Sequence, residues 1–308
     1  MMRRLLLLVA VLLVSTSAFA DQAIRLTLQQ GVPVTDADIA GATSVCLEPY
    51  LSPRDQLMTY NGTSWVAMDV AASTYCLSTS GLSVNTNYDV LVTSSGGLPV
   101  LSWSVAWTDD THPPARALQN GVDVSAVDHT NLVIGAVHVN SIGQLEDNHT
   151  HRWLSNYYRP EPRKMWAVDP AVTWNNSTST GYTNATAYQQ AHGNAANQLD
   201  YIAVVSRMVG AHVQAAVINL SGGGDFVGIG LDGNSLGDVS QSRMQASIPS
   251  SLGSVSFQTS ADYLGTPGLG HHTVLWLEHI YYPPGTNPTW LGAIPPSQIS
   301  GIFGVVMN

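Results

Sequence analysis

The chain has 308 residues with 11 basic and 21 acidic side chains, a formal net charge of −10. Binding a phosphate backbone takes clustered positive charge, so this balance argues against a nucleic-acid partner. Charged residues make up only 10 % of the sequence, against about a quarter in an average domain, yet 44 % is hydrophobic and 8 Trp and 12 Tyr are present, which excludes a disordered chain.

Arg3 and Arg4 precede an unbroken apolar run from Leu5 to Val14, and Ala18-Phe19-Ala20 offers a small-residue cleavage site before Asp21. This is the three-part pattern of a secretory signal peptide over 1–20. The run falls well short of the roughly 20 residues a membrane span needs, and no later segment qualifies. The expectation is an exported chain without a membrane span, placed in the periplasm, the medium or at the cell surface. Without the leader, nine basic residues face 21 acidic ones, and Lys164 is the one lysine.

Alternating apolar residues separated by Gly, Pro, Asn and Asp predict strands at Ile24 to Leu28, Thr43 to Leu47, Leu57 to Tyr60, Ser64 to Met68, Tyr88 to Val92, Leu101 to Trp107 and Leu132 to Val139. Later come Leu199 to Met208, His212 to Ile218, Phe226 to Leu231, Val255 to Thr259 and Thr273 to Tyr281. Asn61-Gly62 predicts a hairpin with a type I′ turn. No helical periodicity is sustained over three turns, so the fold class is all-β.

Cys46 and Cys76 lie 30 positions apart in a chain read as exported, where a bridge can form. Such a bridge would contribute on the order of 3 kcal/mol. The alternative is two buried thiols, because spacing does not fix the Cα separation. Neither cysteine has metal or redox spacing. Tyr88, two residues before Val90 in a turn-to-strand segment, has the placement of the tyrosine corner of immunoglobulin-like and fibronectin type III sandwiches; the alternative is an ordinary loop tyrosine.

The polar, proline-bearing stretch Thr108 to Pro114 is read as a domain boundary. Residues 21–112 would then form a small immunoglobulin/fibronectin-III-like sandwich and 113–308 a larger jelly-roll-like antiparallel β-sandwich. Thr273 to Tyr281 is apolar on both faces, which a sheet with one wet face would not be. The expectation is that another domain or another subunit covers that face, and a homo-oligomer follows from the second case.

Chemistry-bearing patterns are weak. Ser221 lacks the leading glycine of a nucleophile elbow. His149 and His151 alternate toward one strand face but lack third and fourth zinc ligands. Asp232-Gly233-Asn234 with Asp238 departs from calcium-loop spacing. Adjacent carboxylates such as Asp109-Asp110 and Glu146-Asp147 do not reveal the separation a glycosidase needs. No catalytic residue, metal or cofactor is assigned. The cluster that stands out is Arg152, Trp153, Tyr157, Tyr158, Arg159, Arg163 and Trp166, with Lys164 among them, since arginines among aromatic faces suit a ligand or partner surface; the alternative is a strand with aromatics in the core and arginines at its rim.

The succession Glu146-Asp147, Arg152-Trp153, Asn156-Tyr157-Tyr158, Pro162-Arg163 and Gly193 to Asp200 resembles a family of tailed-phage virion proteins found among tail-fibre or tail-appendage genes. Pro49-Tyr50, Asn61-Gly62-Thr63, Asn85 to Val90, Ala106-Trp107-Thr108 and Gln119 to Val122 are similar to it upstream, as are Gly228 to Asp232, Trp276-Leu277-Glu278 and Ser300-Gly301 downstream. The resemblance covers roughly residues 45 to 308. It implies a β-rich, non-enzymatic virion component for tail structure or host-surface attachment, binding a surface glycan or a tail protein, and it transfers no catalytic residue. The leader departs from the family, because a part assembled inside the host needs no export, and it admits a bacterial secreted or surface relative. A secreted carbohydrate-active hydrolase on a β-sandwich is the alternative function.

Overall fold

The computed structural model describes residues 22–35, 37–52, 55–70, 74–175, 188–219, 224–233, 246–247, 255–281, 289–292 and 299–308. The leader expected over 1–20, Ser221, Asn234 and Asp238 lie outside them. The fold is all-β and built from antiparallel sheets, with a single 3-10 turn at Ala191–Gly193 and no α-helix among the described residues. The chain divides into two compact units, Met1–Asp147 with Trp153–Glu161, and Asn148–Arg152 with Pro162–Asn308.

The first unit holds β1 (Ile24–Thr27), β2 (Ile39–Ala42), β3 (Ser44–Pro49), β4 (Gln56–Tyr60), β5 (Trp65–Asp69), β6 (Tyr75–Ser78), β7 (Thr86–Ser95), β8 (Leu98–Trp103), β9 (Arg116–Gln119), β10 (Val122–Ser125), β11 (Leu132–Val139) and β12 (Leu145–Asp147). The next strand, β13 (His151–Arg152), belongs to the second unit, and β14 (Leu154–Asn156) returns to the first. One sheet runs β1-β3-β6; another runs β8-β7-β11-β10-β9, with β14 on β11. Ile24, Leu26, Val45 and Leu47 from the first sheet share a core with Val90, Val92, Leu132 and Ile134 from the second.

Two polar contacts fasten these layers. The Asn156 side chain accepts from the Leu26 N–H at 2.6 Å and donates to the Leu26 carbonyl at 3.2 Å, tying β14 to β1. At Gly135 a Cβ would lie 2.4 Å from the Ser155 carbonyl oxygen and 2.5 Å from Leu26 Cδ1, so only glycine permits the approach. Cys46 and Cys76 are direct partners in the β3/β6 ladder and form a disulfide. The Ser83 N–H donates to the Tyr88 hydroxyl at 3.0 Å, the backbone contact of a tyrosine corner.

The Asn61-Gly62 hairpin forms between β4 and β5, but its loop has four residues, because Tyr60 pairs with Trp65. Of the Asn61-Gly62 pair only Gly62 takes a positive φ (93°), and Asn61 instead accepts the Thr63 and Ser64 N–H groups through its side chain. An Asx-type cap thus replaces the type I′ turn. The Pro113-Pro114 stretch joins β8 to β9 within one sheet: beyond it Arg116 forks onto buried Asp89 of β7 at 2.8 and 3.1 Å, while Trp107 Nε1 donates to the same carboxylate at 3.1 Å. Burial raises the Asp89 carboxyl above its ordinary range, and the Arg116 guanidinium pulls against that rise.

The second unit continues with β15 (Pro162–Val168), β16 (Thr173–Asn175), β17 (Gln189–Gln190), β18 (Gln198–Ala203), β19 (Val209–Asn219), β20 (Gly224–Leu231), β21 (Ala246–Ser247), β22 (Val255–Gly265), β23 (Gly270–Tyr281), β24 (Thr289–Leu291) and β25 (Gly301–Met307). One sheet runs β13-β18-β23-β20-β21, where β13 and β18 are parallel; in the other, β22 flanks β19, which pairs with β25 and β24, and these carry β15 and β16. β18 stops at Ala203 rather than running to Met208, and β19 starts only at Val209.

The core of this unit follows from strand alternation. Val209, Ala211, Val213, Ala215 and Val217 of β19 turn inward with Met165 and Ala167 of β15 and Ile302 and Val306 of β25, against Leu199, Tyr201, Val227, Ile229, Val274 and Trp276 of the other sheet. Trp276 and Trp290 are fully buried, and burial of side chains this large contributes about 3 kcal/mol each. Both faces of β23 are buried within one chain, Val274 and Trp276 as well as Leu275 and Leu277, so its doubly apolar pattern needs no second copy.

Candidate functional site

The structure sends the expected Arg/aromatic cluster to different places. Trp153 is buried in the first unit, edge-on to His138 with ring centroids 4.7 Å apart. Tyr157 and Tyr158 pack 4.9 Å apart; Tyr158 is buried, and burial raises its hydroxyl well above the ordinary tyrosine range. Arg159, at a positive φ of 50°, lies 5.8 Å over the Tyr50 ring, and its carbonyl accepts from Arg25. Tyr50 in turn donates to Glu161, which with burial raises its hydroxyl pKa.

Arg152, Arg163 and Trp166 belong to the second unit. Arg152 is buried and donates from Nη2 to the Lys164 carbonyl at 2.8 Å, while its own carbonyl accepts from Asn308 at 3.3 Å. Arg163 is buried as well. Both arginines sit inside the unit, one of them fixing the backbone of β15.

Trp166 does the opposite. On β15, Arg163, Met165 and Ala167 are buried and Lys164 and Trp166 are exposed, the period-two pattern of a strand with one wet face. Register then carries this face across the sheet in two rows. Trp166 pairs with Phe303, Phe303 with His212, and His212 with Asp262; Lys164 pairs with Val305, Val305 with Gly210, and Gly210 with Leu264. Lys164, Trp166, Phe303, Val305, Gly210 and His212 of these rows line a shallow, mainly apolar groove of about 470 Å³. Trp166 is 39 % exposed and Leu264 62 %, large values for apolar side chains packed on a sheet.

His149 stacks on Trp166, with centroids 4.5 Å apart and planes within 10°, and its carbonyl accepts from the Trp166 backbone N–H at 2.8 Å. The indole is thereby held in one orientation. At the other end His212 Nδ1 meets Asp262 at 2.7 Å. Gly210 forms the low point between Val305 and Leu264. A Cβ added there would meet only Leu264 Cδ1, at 3.7 Å, whereas one at neighbouring Gly304 would lie 2.8 Å from Leu199 Cδ1 and 3.1 Å from the Gly210 carbonyl oxygen.

No family model matches the chain, and no curated protein matches it. Among solved structures it is similar to the insecticidal delta-endotoxin Cry8Ea1 from Bacillus thuringiensis at 9 % identity and a TM-score of 0.23, over 97 % of this chain and 55 % of that one. The chain therefore spans about half the length of that toxin.

A second polar cluster lies in the same unit. Fully buried Asp169 accepts from Asn197 Nδ2 at 2.6 Å, from the Ala171 N–H at 2.9 Å and from His192 Nδ1 at 3.0 Å. Burial pushes its carboxyl up, but these donors outweigh burial and hold the pKa below the ordinary aspartate value. His192 stands at φ 57°, stacks on Trp174 at 5.0 Å, and donates its backbone N–H to Glu278. Trp174 Nε1 also donates to Glu278, at 3.2 Å. The Asp169–His192 contact and the stacking of His192 on Trp174 hold the imidazole in place. Their role is to fasten the 3-10 turn to β16 and β23. Among the described residues no three His, Cys, Asp or Glu side chains converge as a metal site, and His149, one of the two zinc candidates, is stacked on Trp166.

Proposed function

We propose that the chain is a non-enzymatic surface-recognition protein that holds a glycan in the Trp166 groove. The observation that carries this reading is an exposed indole, pinned by His149, in a groove whose apolar floor ends in a His–Asp pair. A flat ring fixed on a rigid sheet offers large contact area at low entropic cost, while oriented polar groups at its margin select hydroxyls. The ordered similarity to tailed-phage tail proteins and the secretory leader support attachment at a surface, as a virion part or an exported protein of the same kind.

A glycan array probed with the full chain tests this. Binding to a defined set of sugars is expected, with the sugars recovered intact. Trp166→Ala should weaken binding about tenfold or more. Gly210→Val, whose Cβ would meet only Leu264 Cδ1 at 3.7 Å, should block it without lowering the melting temperature by more than a few degrees. Release of reducing ends, or unchanged binding by both variants, would refute the proposal.

A further inference from the structure

We infer that the groove takes an acidic pyranose, its ring on Trp166 and its carboxylate on Lys164; this rests on the recognition reading above and names its ligand class. Lys164 is the one lysine of a chain with a formal charge of −10, and it is exposed on the groove. The nearby cations Arg152 and Arg163 are buried, so Lys164 presents the positive charge of this segment to solvent. It stands two residues from Trp166 on the same face of β15, and a strand sets such positions about 7 Å apart. The carboxylate on a pyranose's exocyclic carbon, with a charge-assisted hydrogen bond of about 2.8 Å beyond it, reaches roughly that far from the ring centre. The partners across β25 are Val305 for Lys164 and Phe303 for Trp166, so the charge and the indole both rise from an apolar floor that suits the C–H face of a sugar. Asp262, the acidic group on this face, is engaged by His212 at 2.7 Å in the row that ends away from Lys164. An anionic ligand is repelled by most of an acidic molecule and finds local compensation at this lysine.

The test is calorimetric titration of the full chain with trigalacturonic acid and with its carboxyl-reduced, neutral counterpart. The acidic trimer should bind about fivefold tighter at low salt, the size of an exposed charge pair, and the preference should shrink as salt rises from 50 to 500 mM, roughly, as screening tightens. Lys164→Gln should erase the preference while the neutral trimer binds as before, and Lys164→Arg should keep it. Trp166→Ala should weaken binding of both about tenfold or more. Equal affinity for the two trimers, or a preference that survives Lys164→Gln, overturns the acidic assignment and leaves the glycan reading intact. Failure of both trimers, together with an empty glycan array, overturns both. A dimer in light scattering that Trp166→Ala dissociates, with no sugar bound, also overturns both and assigns the groove to a second copy.

Discussion

Replacing Asp169 by asparagine keeps the shape of a fully buried side chain and removes its charge. Three donors converge on this carboxylate, from Asn197, Ala171 and His192. A hydrogen bond to a charged acceptor contributes roughly 1 kcal/mol more than one to a neutral acceptor, and the new amide would set one N–H against a neighbouring donor. Because a carboxamide oxygen in place of Oδ2 still accepts from Asn197 and His192, now as a neutral acceptor, while the amide N–H faces the Ala171 N–H, the net loss should be about 2 kcal/mol at pH 7. The pH dependence sharpens the test. The Asp169 carboxyl titrates below its ordinary value in the folded chain, so its contribution is complete above the unfolded value near 3.9, roughly, and is lost as pH falls through the lowered folded value. The gap between wild type and Asp169→Asn should therefore hold from pH 7 to about 5 and close below about 4. Urea unfolding followed by tryptophan emission reports on this region, since Trp174 stacks on His192; the midpoint should fall by about 1 M at pH 7. A midpoint within about 0.2 M of wild type, or a gap that does not close in acid, would refute the account of this cluster.

Three further outcomes follow from the fold. Cys46→Ser with Cys76→Ser opens a loop of 30 residues and should cost about 3.5 kcal/mol, read as the difference between oxidised and doubly substituted chains in urea. Tyr88→Phe deprives the Ser83 N–H of its acceptor and should cost about 1 kcal/mol in the same assay. Tyr201→Phe should be neutral or slightly stabilising, because that buried hydroxyl has no hydrogen-bond partner among the described residues.

The strands best legible in the sequence are those that carry their own alternation. Leu132 to Val139 forms as predicted, and the predicted Val255, Thr273 and Phe226 segments sit within long strands. Two- and three-residue strands such as β12, β13 and β17 were invisible, since their pairing is imposed by neighbours rather than by any local pattern. The Thr108 to Pro114 stretch looks like a linker because proline and clustered carboxylates are poor in strands, yet the same chemistry closes a tight turn. There Asp109 accepts from His112 and from the Thr111 N–H, which lower its carboxyl pKa to about 2. The Arg/aromatic cluster is contiguous in sequence, but the chain passes between units twice within it, so its members divide between the two. Of the groove, Lys164 and Trp166 were named from sequence. Gly210, Leu264, Phe303 and Val305 meet Lys164 and Trp166 only through register across β19, β22 and β25, at separations no local pattern reveals.

The path between Asn148 and Pro162 has a consequence for inheritance. The backbone enters the second unit for five residues, goes back to the first for Trp153–Glu161, and then leaves it for good. No single crossover point in the gene hands over either half whole: a junction before Asn148 strips β14 from one side, and a junction after Glu161 strips β13 from the other. Such a protein is expected to travel through genomes as one indivisible cassette, diverging by substitution along its length rather than by exchange of its halves.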